Sequence, residues 1–374
     1  MDNMINIKTS GFKCDRSGWK TVRLGDILDY EQPQPYIVTN DEYVESGIPV
    51  LTPGKSHILG YTSETVGIYM ASQHPCILFD DFLTITRYVD YDFKVKSSAV
   101  KMLSIKSGCK ANLRFIYAQM KQKEKIAEEH QRHWITQTSK EEIRLPDLKT
   151  QDSIAKAIAS IDEQIMLTQH LISKYESIKK ATVNLLLKPK VGWKQVKLGD
   201  IGEVAMCKRI LKSQTSTTGD VPFYKIGTFG KCPDAFITHD LFEDYKRRFS
   251  YPKVGDVLLS AAGTIGRTVV FNGDDAYFQD SNIVWIVNDE SIVTNPFLNA
   301  IYSQVEWQTE NGGTVSRLYN ANILNTMVFI PQLNEQKDIV ASLDSINNSI
   351  NGLSALLEKT QNLKQSMLQY FFGD

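Results

Sequence analysis

Two stretches of the chain carry apolar residues at alternating steps of four and three. In the first, Ile154, Ile158, Ile161, Ile165, Ile172 and Tyr175 share a register that Thr168 interrupts and Thr182 and Leu186 continue. In the second, the register runs Ile339, Leu343, Ile346, Ile350, Leu353, Leu357, Thr360, Met367 and Phe371, with Lys364 as the interruption. A mean step of ~3.5 residues is the period of a coiled-coil seam. Neither stretch contains a proline, between Ser153 and Lys188 or between Glu335 and Asp374. Thr150 followed by Asp152, and Asn334 followed by Glu335, place short polar and acidic side chains where a helix N-terminus is stabilised by them. The pattern predicts two helices of about 35–38 residues, each about 55 Å long at ~1.5 Å per residue and several times longer than an ordinary globular helix. Two matched seams in one chain predict that the helices pair with each other, antiparallel. The faces are Ile154, Ile158, Ile161 and Ile165 on one helix and Ile339, Leu343, Ile346 and Ile350 on the other. Packing of each seam on its own domain, or between two chains, are the competing arrangements.

Outside these stretches the period shortens. Gly47-Ile48-Pro49-Val50-Leu51 and Gly219-Asp220-Val221-Pro222-Phe223-Tyr224 both read as a turn entering a strand. Gly255 to Ser260 reads as a turn and a strand, Ala261 to Arg267 as a tight glycine-containing loop, and Thr268 to Phe271 as the next strand. The other insert has Ile77 to Phe82 and then Phe93 to Ala99 in place of that loop. Short helices are predicted from Leu113 to about His130 and from Pro296 to about Glu306. Residues 28–144 and 202–329 are therefore mixed, mostly β inserts.

The inserts sit in a duplicated frame. Gly18-Trp19-Lys20-Thr21-Val22-Arg23-Leu24-Gly25-Asp26-Ile27 recurs as Gly192-Trp193-Lys194-Gln195-Val196-Lys197-Leu198-Gly199-Asp200-Ile201. Leu145 to Leu187 aligns without a gap on Ile330 to Phe372, so that Pro146, Leu148, Gln151, Ile154 and Ile161 reappear as Pro331, Leu333, Gln336, Ile339 and Ile346. Between these segments the halves differ almost completely. The organisation read from this is a first domain at 1–144, a helix at 145–188, a second domain at 189–329 and a second helix at 330–374. The fold class is α+β, two mixed domains separated by an antiparallel coiled coil and related by a pseudo-two-fold axis.

Charge changes little in this picture. Over 374 residues the formal net charge is −1, and neither insert is basic, so any nucleic-acid contact must rest on local patches such as Lys121-Lys123-Lys125, Lys208-Arg209 and Lys246-Arg247-Arg248. No apolar run approaches the ~18–20 residues of a membrane span, and the polar N-terminus lacks a signal core. Cys14, Cys76, Cys109, Cys207 and Cys232 are odd in number and scattered, which predicts reduced thiols and a cytoplasmic protein.

Catalytic patterns fail on inspection. Gly54-Lys55-Ser56 has Pro49 where a phosphate loop needs its first glycine. Gly263-Thr264-Ile265-Gly266 leads into a strand, whereas a dinucleotide site needs a helix N-terminus. Asn295-Pro296-Phe297 falls short of an amino-methyltransferase segment. His130 and His133 lack a further ligand cluster, and Glu335-Gln336-Lys337 stands at a helix start, where an acid serves as a cap. No catalytic or metal site is predicted.

The ordered set of motifs has a counterpart. Two variable domains, each opened by Gly-Trp-Lys-x-Val-x-Leu-Gly-Asp-Ile and closed by Pro-x-Leu-x-x-Gln before a heptad helix, resemble the specificity subunit of Type I restriction-modification systems, from Gly18 to Phe372. Ala262-Gly263-Thr264-Ile265-Gly266 resembles a loop of that family's target-recognition domains. Asp80-Asp81-Phe82 with Phe93 to Ala99 resembles another variety of the same domain. The resemblance implies a non-catalytic reader of double-stranded DNA, each domain taking half of a bipartite site. The helices would space the domains and dock two methyltransferase subunits. Restriction subunits would join the complex, and S-adenosylmethionine, ATP and Mg would lie on the partners, with no cofactor in this chain. The rival reading is a scaffold or adaptor without DNA readout. The contact residues expected are Lys94, Lys96 and Ser97 in the first insert and Lys225, Thr264, Arg267, Arg317 and Tyr319 in the second, donors or aromatics in turn-rich segments. A strut of about 55 Å predicts two short blocks separated by an unread gap of roughly 5–8 base pairs.

Overall fold

The computed structural model describes residues 14–40, 42–52, 57–127, 131–308 and 317–373. The Gly54-Lys55-Ser56 segment and His130 lie outside them. In the first half the elements run β1 (Lys20–Arg23), α1 (Leu24–Ile27), β2 (Leu28–Glu31), β3 (Ile48–Leu51), β4 (Ile58–Thr62), β5 (Cys76–Asp80), β6 (Thr86–Val89), β7 (Lys94–Val95), β8 (Val100–Ile105), α2 (Leu113–Lys123), β9 (Glu142–Leu145) and α3 (Leu148–Leu186). The second half follows with β10 (Lys194–Lys197), β11 (Gly202–Ala205), β12 (Val221–Tyr224), β13 (Phe236–Ile237), α4 (His239–Arg248), β14 (Val257–Ser260), β15 (Thr268–Val270), β16 (Tyr277–Phe278), β17 (Ile283–Asn288), α5 (Asn295–Tyr302), α6 (Asn320–Asn325), β18 (Met327–Ile330) and α7 (Leu333–Phe372).

The two inserts, unlike in sequence, share one topology. Each has a four-stranded sheet, β2-β8-β5-β6 and β11-β17-β14-β15. Each has a three-stranded sheet, β4-β3-β7 and β13-β12-β16, in which the middle strand pairs antiparallel to one neighbour and parallel to the other. The frame closes on itself in both halves. β1 pairs antiparallel with β9, Lys20 opposite Leu145, and β10 pairs with β18, Lys194 opposite Ile330. The repeated Gly-Trp-Lys motif is thus hydrogen-bonded to the strand that launches the long helix. The frame glycine is fixed by close approach. A Cβ on Gly25 would lie 2.9 Å from the Ser139 carbonyl oxygen, and one on Gly199 would lie 3.1 Å from that of Leu324.

The chain packs as two compact units, Met1–His170 with Ser354–Asp374, and Leu171–Leu353. The long helices are not set apart as segments of their own; each contributes to both units. In the first unit Ile154, Ala155 and Ile158 at the start of α3 share a core with Met367, Leu368, Phe371 and Phe372 at the end of α7. In the second, Val183, Leu186 and Leu187 at the end of α3 pack with Ile339, Val340 and Leu343 at the start of α7. Start against end in both units means antiparallel packing. Six seam residues are buried, Ile154, Ile158, Ile161, Ile339, Leu343 and Ile350, while Ile165 and Ile346 are half-buried. The irregular seam positions are accommodated locally. Thr168 and Thr360 are buried with their hydroxyls donating to the carbonyls of Gln164 (2.7 Å) and Leu356 (2.8 Å), which satisfies a polar group without a partner from outside the helix. Lys364 pairs with Asp162 at 2.5 Å.

Several boundaries differ from those read in the sequence. α3 begins at Leu148 and is capped by Asp147, whose carboxylate accepts from the Thr150 N–H (3.1 Å) and hydroxyl (2.6 Å); Thr150 is the capped residue, one turn inside. α7 begins at Leu333, so Asn334 and Glu335 lie in its first turn. α2 ends at Lys123 and α5 at Tyr302, shorter than their apolar pattern suggested.

Candidate nucleic-acid interface

Each insert is locked to its long helix by the same three contacts. Asn112 caps α2, its side chain accepting from the Phe115 N–H (2.9 Å), and Thr294 caps α5 in the same way through Phe297 (3.4 Å). The backbone N–H of each capping residue donates to the frame glutamine, Asn112 to Gln151 Oε1 (2.9 Å) and Thr294 to Gln336 Oε1 (2.8 Å). Gln151 also donates to the Pro146 carbonyl (2.9 Å), and Gln336 to those of Pro331 and Ile292 (both 3.0 Å). The frame tryptophan packs on the aromatic ring one turn into the helix, Trp19 on Phe115 (5.9 Å) and Trp193 on Phe297 (6.1 Å). This explains the repeated Gln and Trp as clamps, a role invisible in the motif itself because the partner lies in the variable insert.

In the second domain Lys225 and Arg317 line one cleft, while Thr264, Arg267 and Tyr319 are not among its lining residues. The loop Ala261 to Arg267 uses two left-handed glycines, Gly263 (φ +64) and Gly266 (φ +85), and a Cβ on Gly266 would sit 2.7 Å from the Trp307 indole nitrogen. Ser260 holds the loop closed by accepting from the Arg267 N–H (2.9 Å) while donating to the Thr264 carbonyl (2.5 Å). Arg267 donates to the Phe229 carbonyl (3.0 Å). Ala262 bridges to Arg317, whose guanidinium reaches the Ser281 carbonyl (3.3 Å) and Asn282 (3.4 Å). Lys225 and Arg317 line one open cleft of about 660 Å³ with Arg209, Lys212, Gln279 and Asn282. Thr264 is exposed on the loop, and Tyr319 is exposed beside α6.

The cleft carries four cations, and two of them face acids: Arg209 with Asp280 (2.8 Å) and Lys225 with Asp234 (2.9 Å). Surface pairs of this kind contribute at most ~1 kcal/mol, so a phosphate can compete for either cation at small cost. Asp280-Ser281-Asn282 is a tight turn with Ser281 at φ +53, a conformation unusual for a residue with a Cβ and one that concentrates at functional sites. In the sequence Lys208-Arg209 is only a local basic cluster, and Lys212, Gln279 and Asn282 stand in no motif. Only pairing across strands brings these to one place.

The first domain corrects one expectation. Lys94 is 2 % exposed; its ammonium pairs with Glu64 (2.7 Å) and donates to the Val66 carbonyl (2.7 Å). That contact holds the Glu64 carboxyl down at about 2. Lys94 lies in β7 in the register that core Tyr277 occupies in β16, so its side chain points into the domain, where it is held by Glu64 and Val66. Lys96 and Ser97 follow it in a half-buried turn, the Ser97 hydroxyl accepting from the Ala99 N–H (3.0 Å). The Asp80-Asp81-Phe82 segment is structural. Asp80 accepts from the Phe82 and Leu83 N–H groups (both 2.9 Å) to turn the chain, and burial raises its carboxyl above the usual range. Asp81 forms a fully buried pair with Lys101 (3.3 Å).

Among the described residues no group of three His, Cys, Asp or Glu side chains is placed to hold a metal, no helix is long and apolar enough to cross a membrane, and the five cysteines are free. His133 is buried against Gln137 (3.2 Å). Two domains of equal topology and different surface chemistry, each clamped to a long helix by a frame glutamine, define a tandem-domain chain built on a duplicated frame. Residues 16–177 and 190–363 each match the Type I restriction modification DNA specificity domain, and the chain belongs to this family with two such domains in tandem. It is a specificity subunit, a DNA-recognition chain without a catalytic centre. A putative type I restriction enzyme specificity subunit of Haemophilus influenzae is 55% identical over 172 residues, which cover 45% of this chain and 45% of that protein. A type I restriction enzyme specificity subunit of Escherichia coli is 29% identical over 93% of this chain and 91% of its own. The same fold is found in the S subunit of a Type I restriction-modification system from M. genitalium, with a TM-score of 0.70 at 13% identity, over 95% of this chain and 96% of that one.

Proposed function

We propose that this chain reads a bipartite double-stranded DNA site, one short block per insert domain, and presents it to two methyltransferase subunits and to restriction subunits in the cytoplasm. The observation that carries the reading is the pair of equal topologies with unequal surfaces: the frame residues Gln151 and Gln336 fix each insert alike, while the loops that project from the inserts differ. Base recognition needs hydrogen-bonding side chains that vary on a rigid support. A nearly neutral chain can do this because phosphate contact needs only local cations, as at Arg209, Lys212, Lys225 and Arg317. S-adenosylmethionine, ATP and Mg belong to the partner subunits in this reading. The domains proposed as the two readers are 1–144 and 189–329, with 145–188 and 330–374 as the spacing helices.

The test is the methylome of cells carrying the chain with its modification partner. Two short blocks with a fixed gap are expected. Exchange of residues 202–329 for the corresponding insert of a relative should change one block and leave the other. A continuous motif, or an exchange that alters both blocks, overturns the reading in favour of an adaptor.

A further inference from the structure

We propose that the four-residue turn following the short parallel strand, Gln279 to Asn282 in the second domain and Lys96 to Ala99 in the first, sets the base preference of its half of the site. The inference rests on the DNA-reading function above and names the residues that determine specificity within it.

Strand register establishes the equivalence. Val50 and Leu51 pair in parallel with Lys94 and Val95, as Phe223 and Tyr224 pair with Tyr277 and Phe278. Asp80 then lies opposite Val100, as Ser260 lies opposite Ile283. Between these fixed points each domain has four residues. Their ends are held by the same main-chain bonds. Lys96 N–H donates to the Leu51 carbonyl and Gln279 N–H to that of Tyr224, both at 2.9 Å. The Ala99 carbonyl accepts from Asp81 N–H (2.9 Å), and the Asn282 carbonyl from Ala261 N–H (2.7 Å). Main-chain bonds fix the ends of the turn, and the side-chain contacts made from it go to loop residues, Gln279 Oε1 accepting from the Ile226 N–H (2.9 Å) and the Ser97 hydroxyl from the Ala99 N–H (3.0 Å), so the side chains can differ without disturbing the sheets.

They do differ. Lys-Ser-Ser-Ala stands in one domain where Gln-Asp-Ser-Asn stands in the other. Lys suits the O6 and N7 acceptors of guanine, Gln and Asn the N6 and N7 of adenine, and Asp the N4 donor of cytosine. Neighbours suit the same task. In the second domain the turn lies in the cleft with Arg209, Lys212 and Arg317, cations that would hold the sugar-phosphate backbone while the turn meets base edges. Arg209 neutralises Asp280 (2.8 Å), which lets an acid sit near DNA. Ser281 supplies the bend (φ +53) that separates Asp280 from Asn282.

The experiment uses the chain assembled with its modification subunits and grafts the first turn into the second, Gln279→Lys with Asp280→Ser, and reciprocally Lys96→Gln with Ser97→Asp. Methylomes of the two variants are compared with the wild type. Each graft is expected to change or relax one block only, and the two grafts are expected to affect different blocks. If a graft abolishes methylation, the purified complex is titrated with duplexes randomised in one block at a time. Loss of discrimination confined to one block supports the proposal, and a uniform loss of affinity with the preference intact overturns it. Unchanged motifs in both grafts also overturn it. A wild-type complex that marks no two-block motif refutes the DNA-reading function itself, whereas a two-block wild-type motif that neither graft moves refutes only the role of the turn.

Discussion

Replacing Gln336 by Ala should loosen the second domain from its helix and leave the first domain untouched. Gln336 is fully buried and makes three hydrogen bonds, to Pro331, Ile292 and Thr294. A net contribution of ~1 kcal/mol for each bond puts the loss near 3 kcal/mol, and the Thr294 N–H left dry at the head of α5 adds to it, since an unsatisfied buried donor costs about 1–3 kcal/mol. Gln151 makes two equivalent bonds, to Pro146 and Asn112, so Gln151→Ala should cost roughly 1 kcal/mol less. At ~1.4 kcal/mol per tenfold, a loss near 3 kcal/mol shifts the local opening equilibrium about 100-fold. Native-state hydrogen exchange reads this directly, because the affected unit opens without global unfolding. In Gln336→Ala, amides from Thr294 to Leu298 should exchange about 100-fold faster, while those from Asn112 to Ile116 keep their wild-type protection. Gln336→Glu should not rescue, since it keeps the acceptor for Thr294 but sets an acceptor-only group against the two carbonyl oxygens. Unchanged protection at Thr294, or an equal loss in both halves, would refute the argument that the frame glutamine is a local clamp.

Arg267→Ala should weaken DNA binding by the assembled complex by roughly 1–3 kcal/mol if the guanidinium reads a base; an unchanged affinity and motif in a filter-binding titration would remove it from the interface. Lys94→Met should leave the recognised motif intact and lower stability at neutral pH. The Glu64 carboxyl is held at about 2 instead of 4.5, chiefly by its hydrogen bond with Lys94, so its contribution is complete above pH 4.5 and lost as pH falls towards 2. Unfolding followed against pH should show a shallower acid limb in the variant, and an identical limb would show that the pair carries no linkage. Four residues inserted in each long helix, after Ser173 and after Leu353, add about one turn, ~6 Å. The methylated motif should keep both blocks and gain about one or two base pairs of gap, ~3.4 Å each; altered blocks with the old gap would refute the ruler.

The sequence by itself determined what depends on local order and on period. A 3.5-residue repeat gathers its apolar residues on one face of a helix, so Ile154, Ile158, Ile339 and Leu343 announced the seam, and the duplicated Gly-Trp-Lys and Pro-x-Leu-x-x-Gln motifs announced the two domains. Strands β3, β12 and β14 followed from alternation and turn residues. Tertiary structure decided what depends on which strands meet. Lys94 looked like a donor in a turn, but parallel pairing with β3 sends it inward to Glu64. Thr150 looked like a cap, but Asp147, before the apolar pattern begins, accepts from its N–H. The frame glutamines looked like ordinary helix residues because their partners, Asn112 and Thr294, lie 39 and 42 residues away in inserts that share no motif. The same limit hid the second turn. Phe93 to Ala99 stood out by its residues and Tyr277 to Ile283 did not, and only hydrogen-bond register, a property of two strands at once, shows that they are the same place in the fold.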